Sequence, residues 1–271
     1  MIEVINKYQE VSKEMIKIFE IFEASEGVIR PHFLLTGPSG SGKTYTIKSI
    51  CDANDFNFIE IDSAGLTKEG TSGNSLSKAL SPLLESGNKL TVVFVDEFDK
   101  LFISGNSNSQ KAHETTNGVQ NEFLKVLEGD SVNVYGDYGK YIKANTEKCL
   151  FIFSGAFNGE DNITIDRLRD FGIKTEFLGR VGLVYNMEKL SLESMLAMVD
   201  DNNLIKTYLM LYSNVKKEEV TEPIKKFIID NYEKNTIGAR LINTLVSQFF
   251  IKGGRLGSDA KKIAFQKTLT I

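Results

Sequence analysis

The sequence predicts an α/β fold, in which a doubly wound parallel sheet is followed by a helical domain. Between residues 32 and 185, short apolar runs typical of buried strands alternate with segments of helical periodicity. Such alternation indicates a parallel sheet. From residue 190 onward only helical periodicity continues. We therefore expect an N-terminal helical segment at 1–30, an α/β domain at 31–189 and a helical lid domain at 190–271.

Five mostly apolar runs are expected to form the sheet. The third is apolar on both faces, as a central parallel strand should be. In chain order the runs occupy residues 32–35, 58–61, 91–95, 150–153 and 182–185.

Helical spacing of apolar residues predicts the elements between and after the strands. Those of the first part of the chain occupy residues 2–23, 43–53, 76–84 and 119–127, and those of the C-terminal part occupy 192–199, 204–212, 224–232 and 237–251. Residues 104–110 are polar and are expected to form a flexible loop. Residues 135–147 form a second insertion between predicted elements.

Composition limits the classes of function. The chain has 271 residues, 41% of them hydrophobic, and a formal net charge of −4, which disfavours non-specific nucleic-acid binding. Cys51 and Cys149 lie in apolar stretches without a CxxC pair, so we expect buried thiols and neither a disulfide nor a metal site. No apolar run approaches ~18 residues, and the N-terminus does not resemble a signal peptide. We expect a cytoplasmic protein, bacterial or encoded by a phage, that does not engage a membrane.

The strongest motif follows the first predicted strand. Its residues, which match G-x-x-x-x-G-K-T, are Gly37, Pro38, Ser39, Gly40, Ser41, Gly42, Lys43 and Thr44, with Tyr45 next in the chain. Glycines let successive backbone N–H groups turn toward phosphates, and the helix that begins here adds its positive end. Lys43 is expected to reach the β- and γ-phosphates, and the Thr44 hydroxyl to ligate Mg²⁺. The motif predicts that the chain binds ATP with Mg²⁺.

Two acidic residues end the third predicted strand. Asp96 is expected to hold Mg²⁺, and Glu97 to orient and polarise the attacking water. Their place after a buried strand, about 50 residues beyond a phosphate-binding loop, is the Walker B arrangement. The second acid favours hydrolysis over a nucleotide-holding switch.

Further segments resemble one family, the AAA+ ATPases of the ClpX/HslU type. In the family's order they are Phe94–Lys100, Gly118–Gly129, Phe151–Phe157, Glu176–Arg180 and Ile237–Arg240. The resemblance covers roughly residues 32–250. It implies an AAA+ α/β domain with a helical lid, and an ATPase coupled to mechanical work.

The resemblance also implies residue roles. Arg180 corresponds to the arginine finger, which reaches the γ-phosphate of the neighbouring subunit, and Arg240 to sensor 2, which contacts the phosphates of its own subunit. Ser154 is the candidate for sensor 1, where many AAA+ proteins carry Asn. Because an arginine finger acts in trans, we expect a homo-oligomer, a hexamer by the family's pattern.

The chain departs from the family at three places. In the stretch 66–73, Thr71 replaces the pore-loop aromatic that grips polypeptide. The interval from Phe157 to Phe171 is too short for a ClpP-docking loop, and no cysteine quartet for a zinc-binding domain is present. The insertion at 135–147, with Tyr135, Tyr138 and Tyr141, falls where the family has a second pore loop. It is either a gripping loop or a surface β-hairpin.

Three functions therefore remain open. One is an ATP-driven ring that remodels or translocates a protein partner without ClpP. Another is a nucleic-acid-associated AAA+ ATPase, such as a loader or packaging accessory, which the acidic composition disfavours. The third is a scaffold whose assembly is gated by nucleotide.

Overall fold

The computed structural model describes residues 12–67, 74–102, 110–129, 131–136, 139–212, 214–254 and 256, with backbone only for residues 110–116. By their contacts the described residues form two compact units. The first comprises residues 12–38 and 43–188, and the second comprises residues 39–42 and those from 189 onward.

Seven strands occur in the described chain: β1 (Phe33–Thr36), β2 (Asn57–Asp62), β3 (Thr91–Asp96), β4 (Ser131–Tyr135), β5 (Tyr141–Asn145), β6 (Cys149–Gly155) and β7 (Leu183–Asn186). Five of them form one sheet in the order β2-β3-β6-β1-β7. Every pair in this sheet is parallel. The predicted fold class is therefore confirmed, with strand bounds that differ by one or two residues.

The first unit contains six α-helices: α1 (Lys13–Ala24), α2 (Lys43–Ala53), α3 (Leu76–Ala79), α4 (Gln110–Leu127), α5 (Ile165–Asp170) and α6 (Thr175–Arg180). The helix α1 begins after Ser12, whose hydroxyl accepts a hydrogen bond from the Met15 N–H at 3.1 Å. The helix predicted over 76–84 is divided, because α3 is followed by a 3₁₀ helix, Ser81–Leu84. Pro82 explains the division, since proline lacks the N–H that an α-helix would use there.

Both faces of the five-stranded sheet are buried. Along β3, Val93 and Val95 belong to one apolar cluster, whereas Val92 and Phe94 belong to another on the opposite face. Val119 and Phe123 of α4 cover the first face, and Phe19 and Phe22 of α1 cover the second, together with Ile47 and Ile50 of α2. This coverage explains why the run Val92–Val95 of β3 is apolar on both faces.

The insertion at 135–147 corresponds to part of an antiparallel β-hairpin made of β4 and β5. Tyr135 and Tyr141 are register partners, and their rings meet edge to face with centroids 5.7 Å apart. Tyr138 and the predicted loop at 104–110 lie outside the described residues, except for the backbone of Gln110. The β-hairpin, one of the two interpretations of this insertion, is therefore present.

The second unit is helical and has its own core. It contains α7 (Leu192–Asp200), α8 (Asn203–Leu211), α9 (Lys217–Asn231) and α10 (Arg240–Ile251). Met195, Ile205, Ile224 and Phe249 are among the buried residues that these helices share. Within the part of the chain that is described, no helix has the length and apolar character needed to cross a bilayer.

Candidate functional site

The glycine-rich loop leaves the end of β1 through a turn that requires glycine. Gly37 has φ 143°, and a Cβ at this position would lie 2.4 Å from the carbonyl oxygen of Met187. The helix α2 begins at Lys43, whose Nζ donates hydrogen bonds to the carbonyl oxygens of Gly37, at 2.7 Å, and Pro38, at 3.0 Å. The Lys43 ammonium group is thereby held at the first two residues of the loop.

The middle of the loop, residues 39–42, belongs to the second unit. The Gly40 carbonyl accepts a hydrogen bond from the Ala239 N–H at 3.2 Å. Gly40 has φ 71°, and a Cβ there would lie 2.2 Å from the carbonyl oxygen of Ile237. Arg240, the first residue of α10, places Nη1 3.4 Å from the Ser39 hydroxyl. The segment proposed as sensor 2 is therefore in contact with loop residues.

Ser41 gives a test of whether this loop fits a phosphate. Its side chain is 2% exposed, and its hydroxyl has no hydrogen-bond partner among the described residues. A buried hydroxyl without a partner costs free energy, so such groups are rare unless a ligand or water completes them. A phosphate oxygen has the acceptor chemistry that this hydroxyl requires. The loop thus fits the group that the motif predicts.

A pair of oxygen groups at the start of α2 and the end of β3 fits a magnesium ion. The Thr44 hydroxyl lies 3.4 Å from Oδ2 of Asp96. Oδ1 of Asp96 accepts the Glu97 N–H at 2.9 Å, and the Asp96 carbonyl accepts the hydroxyl of fully buried Ser63 at 2.7 Å. Hydroxyl and carboxylate oxygens are the ligands that Mg²⁺ prefers. The sequence motifs predicted Thr44 and Asp96 as site residues, whereas Ser63 belongs to neither motif.

Glu97 has an unusual backbone conformation. Its φ of 54° and ψ of 30° lie in the left-handed region, and its side chain is exposed. This conformation is uncommon for a residue other than glycine, and such strain is concentrated at functional sites. No local sequence pattern signalled it.

The sensor 1 candidate lies at the end of β6, in the middle of the sheet. Ser154 is fully buried, pairs in register with Leu35 of β1, and has a hydroxyl without a hydrogen-bond partner in the described chain. The next residue, Gly155, has no room for a side chain, since its Cβ would lie 2.8 Å from Oδ1 of Asp99.

Arg180, the arginine-finger candidate, is the last residue of α6. Its guanidinium group pairs with the carboxylate of Glu128, and both side chains are partly exposed. The Glu128 carbonyl also accepts a hydrogen bond from Arg30 at 3.4 Å. Among the described residues, the ion-pair partner of Arg180 is thus Glu128.

The structure also describes Tyr45 and the first two residues of the stretch 66–73. Tyr45 is exposed at the start of α2, next to the phosphate-binding motif. Of the stretch 66–73, Leu66 is buried and Thr67 is described, whereas Thr71 and the other residues from 68 to 73 lie outside the described part.

The first strand of the parallel sheet leads into a G-x-x-x-x-G-K-T loop. The strand β3 ends at Asp96, which lies next to Thr44 and is followed by Glu97. These two features define a P-loop nucleoside triphosphatase. The chain belongs to the ATPase family associated with various cellular activities (AAA), whose model matches residues 33–172.

Among curated proteins the chain is similar to the ATP-dependent Clp protease ATP-binding subunit ClpX of several bacteria. It is 26% identical to that of Bacteroides fragilis, over 80% of this chain and 63% of the relative. Identity to the Porphyromonas gingivalis protein is 26%, over 92% of this chain and 71% of the relative. The identity to ClpX 2 of Wolinella succinogenes is 27%, over 82% of this chain and 65% of the relative. The predicted resemblance to ClpX-type AAA+ ATPases is confirmed, although the chain spans only 63% of the length of the first of these relatives.

Proposed function

We propose that this chain hydrolyses ATP with Mg²⁺ and uses the free energy to remodel or translocate a protein partner. The observation that carries the proposal is the approach of the Thr44 hydroxyl to the Asp96 carboxylate at 3.4 Å, with Glu97 next in the chain. This arrangement supports a metal-assisted phosphoryl transfer, and family membership supports an ATPase.

The residues have separable roles in this proposal. Lys43 and the loop N–H groups bind the phosphates, the Ser41 hydroxyl donates to a phosphate oxygen, and Thr44 with Asp96 would hold Mg²⁺. When bound, the metal neutralises charge on the phosphates. Glu97 orients the attacking water and accepts its proton.

Assembly completes the proposed site. Arg180 would leave Glu128 and approach the γ-phosphate of a neighbouring protomer, and Arg240 would contact the phosphates of its own protomer. Contacts that run head to tail close into a ring when the rotation permits, and we propose a homohexamer. The known relatives are named as subunits of the Clp protease.

We propose that this chain acts without ClpP. The interval from Phe157 to Phe171 contains a 3₁₀ helix, Phe157–Gly159, and then α5, with only residues 160–164 between them. A long docking loop therefore has no place in this interval. The same proposal includes a protein as the partner and not a nucleic acid, which the net charge of −4 supports.

The first experiment measures phosphate release by the wild-type chain and by Glu97→Gln, with and without Mg²⁺. We expect wild-type turnover that requires Mg²⁺, and loss of turnover in Glu97→Gln with retained ATP binding. Equal turnover in the two proteins would remove Glu97 from the proposed role. Light scattering with ATP and with ADP measures ring size in the same samples.

The second experiment identifies the partner class. Glu97→Gln rings loaded with ATP are used to trap client proteins, and unfolded protein or DNA is added to the wild-type ATPase assay. We expect unfolded protein to stimulate ATP turnover. We also expect no DNA binding at ~50 mM salt, where phosphate contacts are strongest. Stimulation by DNA alone would transfer the proposal to a nucleic-acid-associated ATPase.

The exposed tyrosine pair of the hairpin offers a test of substrate contact. Tyr135 and Tyr141 are 38% and 53% exposed. If they contact a client, Tyr135→Ala and Tyr141→Ala lower stimulation by unfolded protein and leave basal turnover unchanged. Val28→Ala, at an apolar residue that is 81% exposed, serves as the matched control. Unchanged stimulation in both tyrosine variants would identify the hairpin as a surface element.

A further inference from the structure

Asp99 is a carboxylate in an unexpected place. It lies two residues after Glu97, in the 3₁₀ helix Phe98–Leu101, and is only 1% exposed. Aspartate is almost never fully buried without a partner, because its charged form loses hydration. The position therefore requires a reason beyond packing.

The reason is a hydrogen bond to the turn that follows β6. Oδ2 of Asp99 accepts the backbone N–H of Phe157 at 3.1 Å. Phe157 has φ 43° and Asn158 has φ 60°, so both are in the left-handed region. The hydrogen bond stabilises this turn, in which both residues adopt an unfavourable backbone conformation.

Gly155 provides the space for this contact. A Cβ on Gly155 would lie 2.8 Å from Oδ1 of Asp99 and 3.0 Å from its Cβ. A side chain at position 155 would thus crowd both the Asp99 carboxylate and the Phe157 ring, whose Cε2 would also lie 2.8 Å from the added Cβ. The space beside Gly155 therefore accommodates both partners of the Asp99–Phe157 hydrogen bond.

The same short helix controls the backbone of Glu97. The Glu97 carbonyl accepts the Lys100 N–H at 2.8 Å, so the left-handed residue forms the first turn of the helix that carries Asp99. Phe98 is fully buried, with its ring centroid 4.8 Å from that of Phe153 and 5.2 Å from that of Phe177. A left-handed residue costs ~1–2 kcal/mol and persists only where its surroundings hold it. Phe98 and Asp99 both anchor this helix, and Leu101 packs against the same apolar cluster as Phe98.

We infer that Asp99 is a positioning residue for ATP hydrolysis, which ties the turn carrying Glu97 to the turn after β6. The inference rests on the proposed function of Glu97. Asp99 does not touch the reacting groups. It keeps the Glu97 backbone in the left-handed conformation from which the side chain reaches solvent at the site.

The test compares Asp99→Leu, which removes the acceptor while keeping the same branched heavy-atom skeleton, with Asp99→Asn, which retains an oxygen acceptor. We expect Asp99→Leu to lower kcat at least tenfold, equivalent to ~1.4 kcal/mol in the activation barrier. The Kd for ATP, measured by fluorescence titration without turnover, should stay within about twofold because Lys43 and Thr44 are untouched. Asp99→Asn should restore kcat to within about threefold of wild type.

Two controls separate positioning from general damage. Phe22→Leu perturbs the opposite face of the sheet, so it should lower the melting temperature without lowering kcat per folded molecule. Gly155→Ala retains Asp99 but crowds it, and should reproduce the loss of kcat with unchanged Kd. If Asp99→Leu does not fold, Gly155→Ala carries the test.

The outcomes are distinct. A kcat within twofold of wild type in Asp99→Leu, or in Gly155→Ala if the former does not fold, overturns the inference. Equal losses of kcat in Asp99→Leu and in an equally destabilised Phe22→Leu also overturn it. A wild-type chain that binds ATP without hydrolysing it defeats the proposed function itself, and the inference with it.

Discussion

Acidification should destabilise this protein through one buried histidine. His32 precedes β1 and is 6% exposed, and its Nδ1 accepts the backbone N–H of Phe151 at 3.0 Å. An imidazole that accepts at Nδ1 is neutral. Burial, assisted by the charge of Arg30, lowers the pKa of His32 from 6.5 to about 4.

The sign of the effect follows from the direction of this shift. Well above pH 6.5 the histidine is neutral in both folded and unfolded chains and does not change stability. Between pH 6.5 and 4 the unfolded chain binds a proton that the folded chain does not, so stability falls as the pH is lowered. The loss is about 1.4 kcal/mol at pH 5.5 and about 2.5 kcal/mol at pH 4.5.

The assay is urea unfolding followed by circular dichroism at pH 7.5, 6.5, 5.5 and 4.5. Carboxylates also titrate in this range, so the wild type is compared at each pH with His32→Gln, which keeps an acceptor but cannot be protonated. The stability difference between the two should shift by the stated amounts, in favour of the variant. Parallel pH profiles, or an NMR titration of His32 near 6.5, would refute the reasoning.

Two substitutions and one labelling experiment test further features of the structure. Gly40→Ala should weaken ATP binding at least tenfold in a fluorescence titration, because its φ is 71° and its Cβ would lie 2.2 Å from the Ile237 carbonyl oxygen; unchanged affinity would contradict this. Burial raises the pKa of both Cys51 and Cys149 to about 12, so neither should react with iodoacetamide in the folded protein at pH 8, whereas both should react in urea. Glu97→Gly should abolish hydrolysis while raising the unfolding free energy by roughly 0.5–1 kcal/mol, since glycine tolerates the left-handed conformation; a lower unfolding midpoint would argue against strain at this residue.

The parts of the molecule that the sequence predicted are those encoded locally. Apolar runs and helical spacing identified the five strands of the parallel sheet and most helices, but not β4 and β5, because burial on one or both faces imposes a period on the chain. The phosphate-binding motif and Asp96-Glu97 were visible since each is a short segment at a strand end. Pro82 was also visible, and its effect on the helix over 76–84 could have been anticipated.

What the sequence could not predict depends on contacts between distant segments. The Asp99 contact with Phe157 joins residues 58 positions apart, and the Arg180 pairing with Glu128 joins residues 52 apart. In neither pair does the sequence around one residue indicate that the other residue is its partner. The left-handed backbone of Glu97 likewise depends on packing of the helix that follows it, and no periodicity reports such packing.

The distribution of backbone strain connects these observations. Six described residues other than glycine have positive φ, and three of them, Glu97, Phe157 and Asn158, lie in the turns after β3 and β6. These adjacent parallel strands end at the same edge of the sheet, where the Thr44 and Asp96 side chains meet. Strain at one edge, joined through the buried Asp99, means that relaxing either turn would alter the other. The two turns at the proposed site of hydrolysis are therefore coupled. A substitution in the turn after β6 should change the backbone conformation of Glu97 although the substituted residue does not contact the nucleotide.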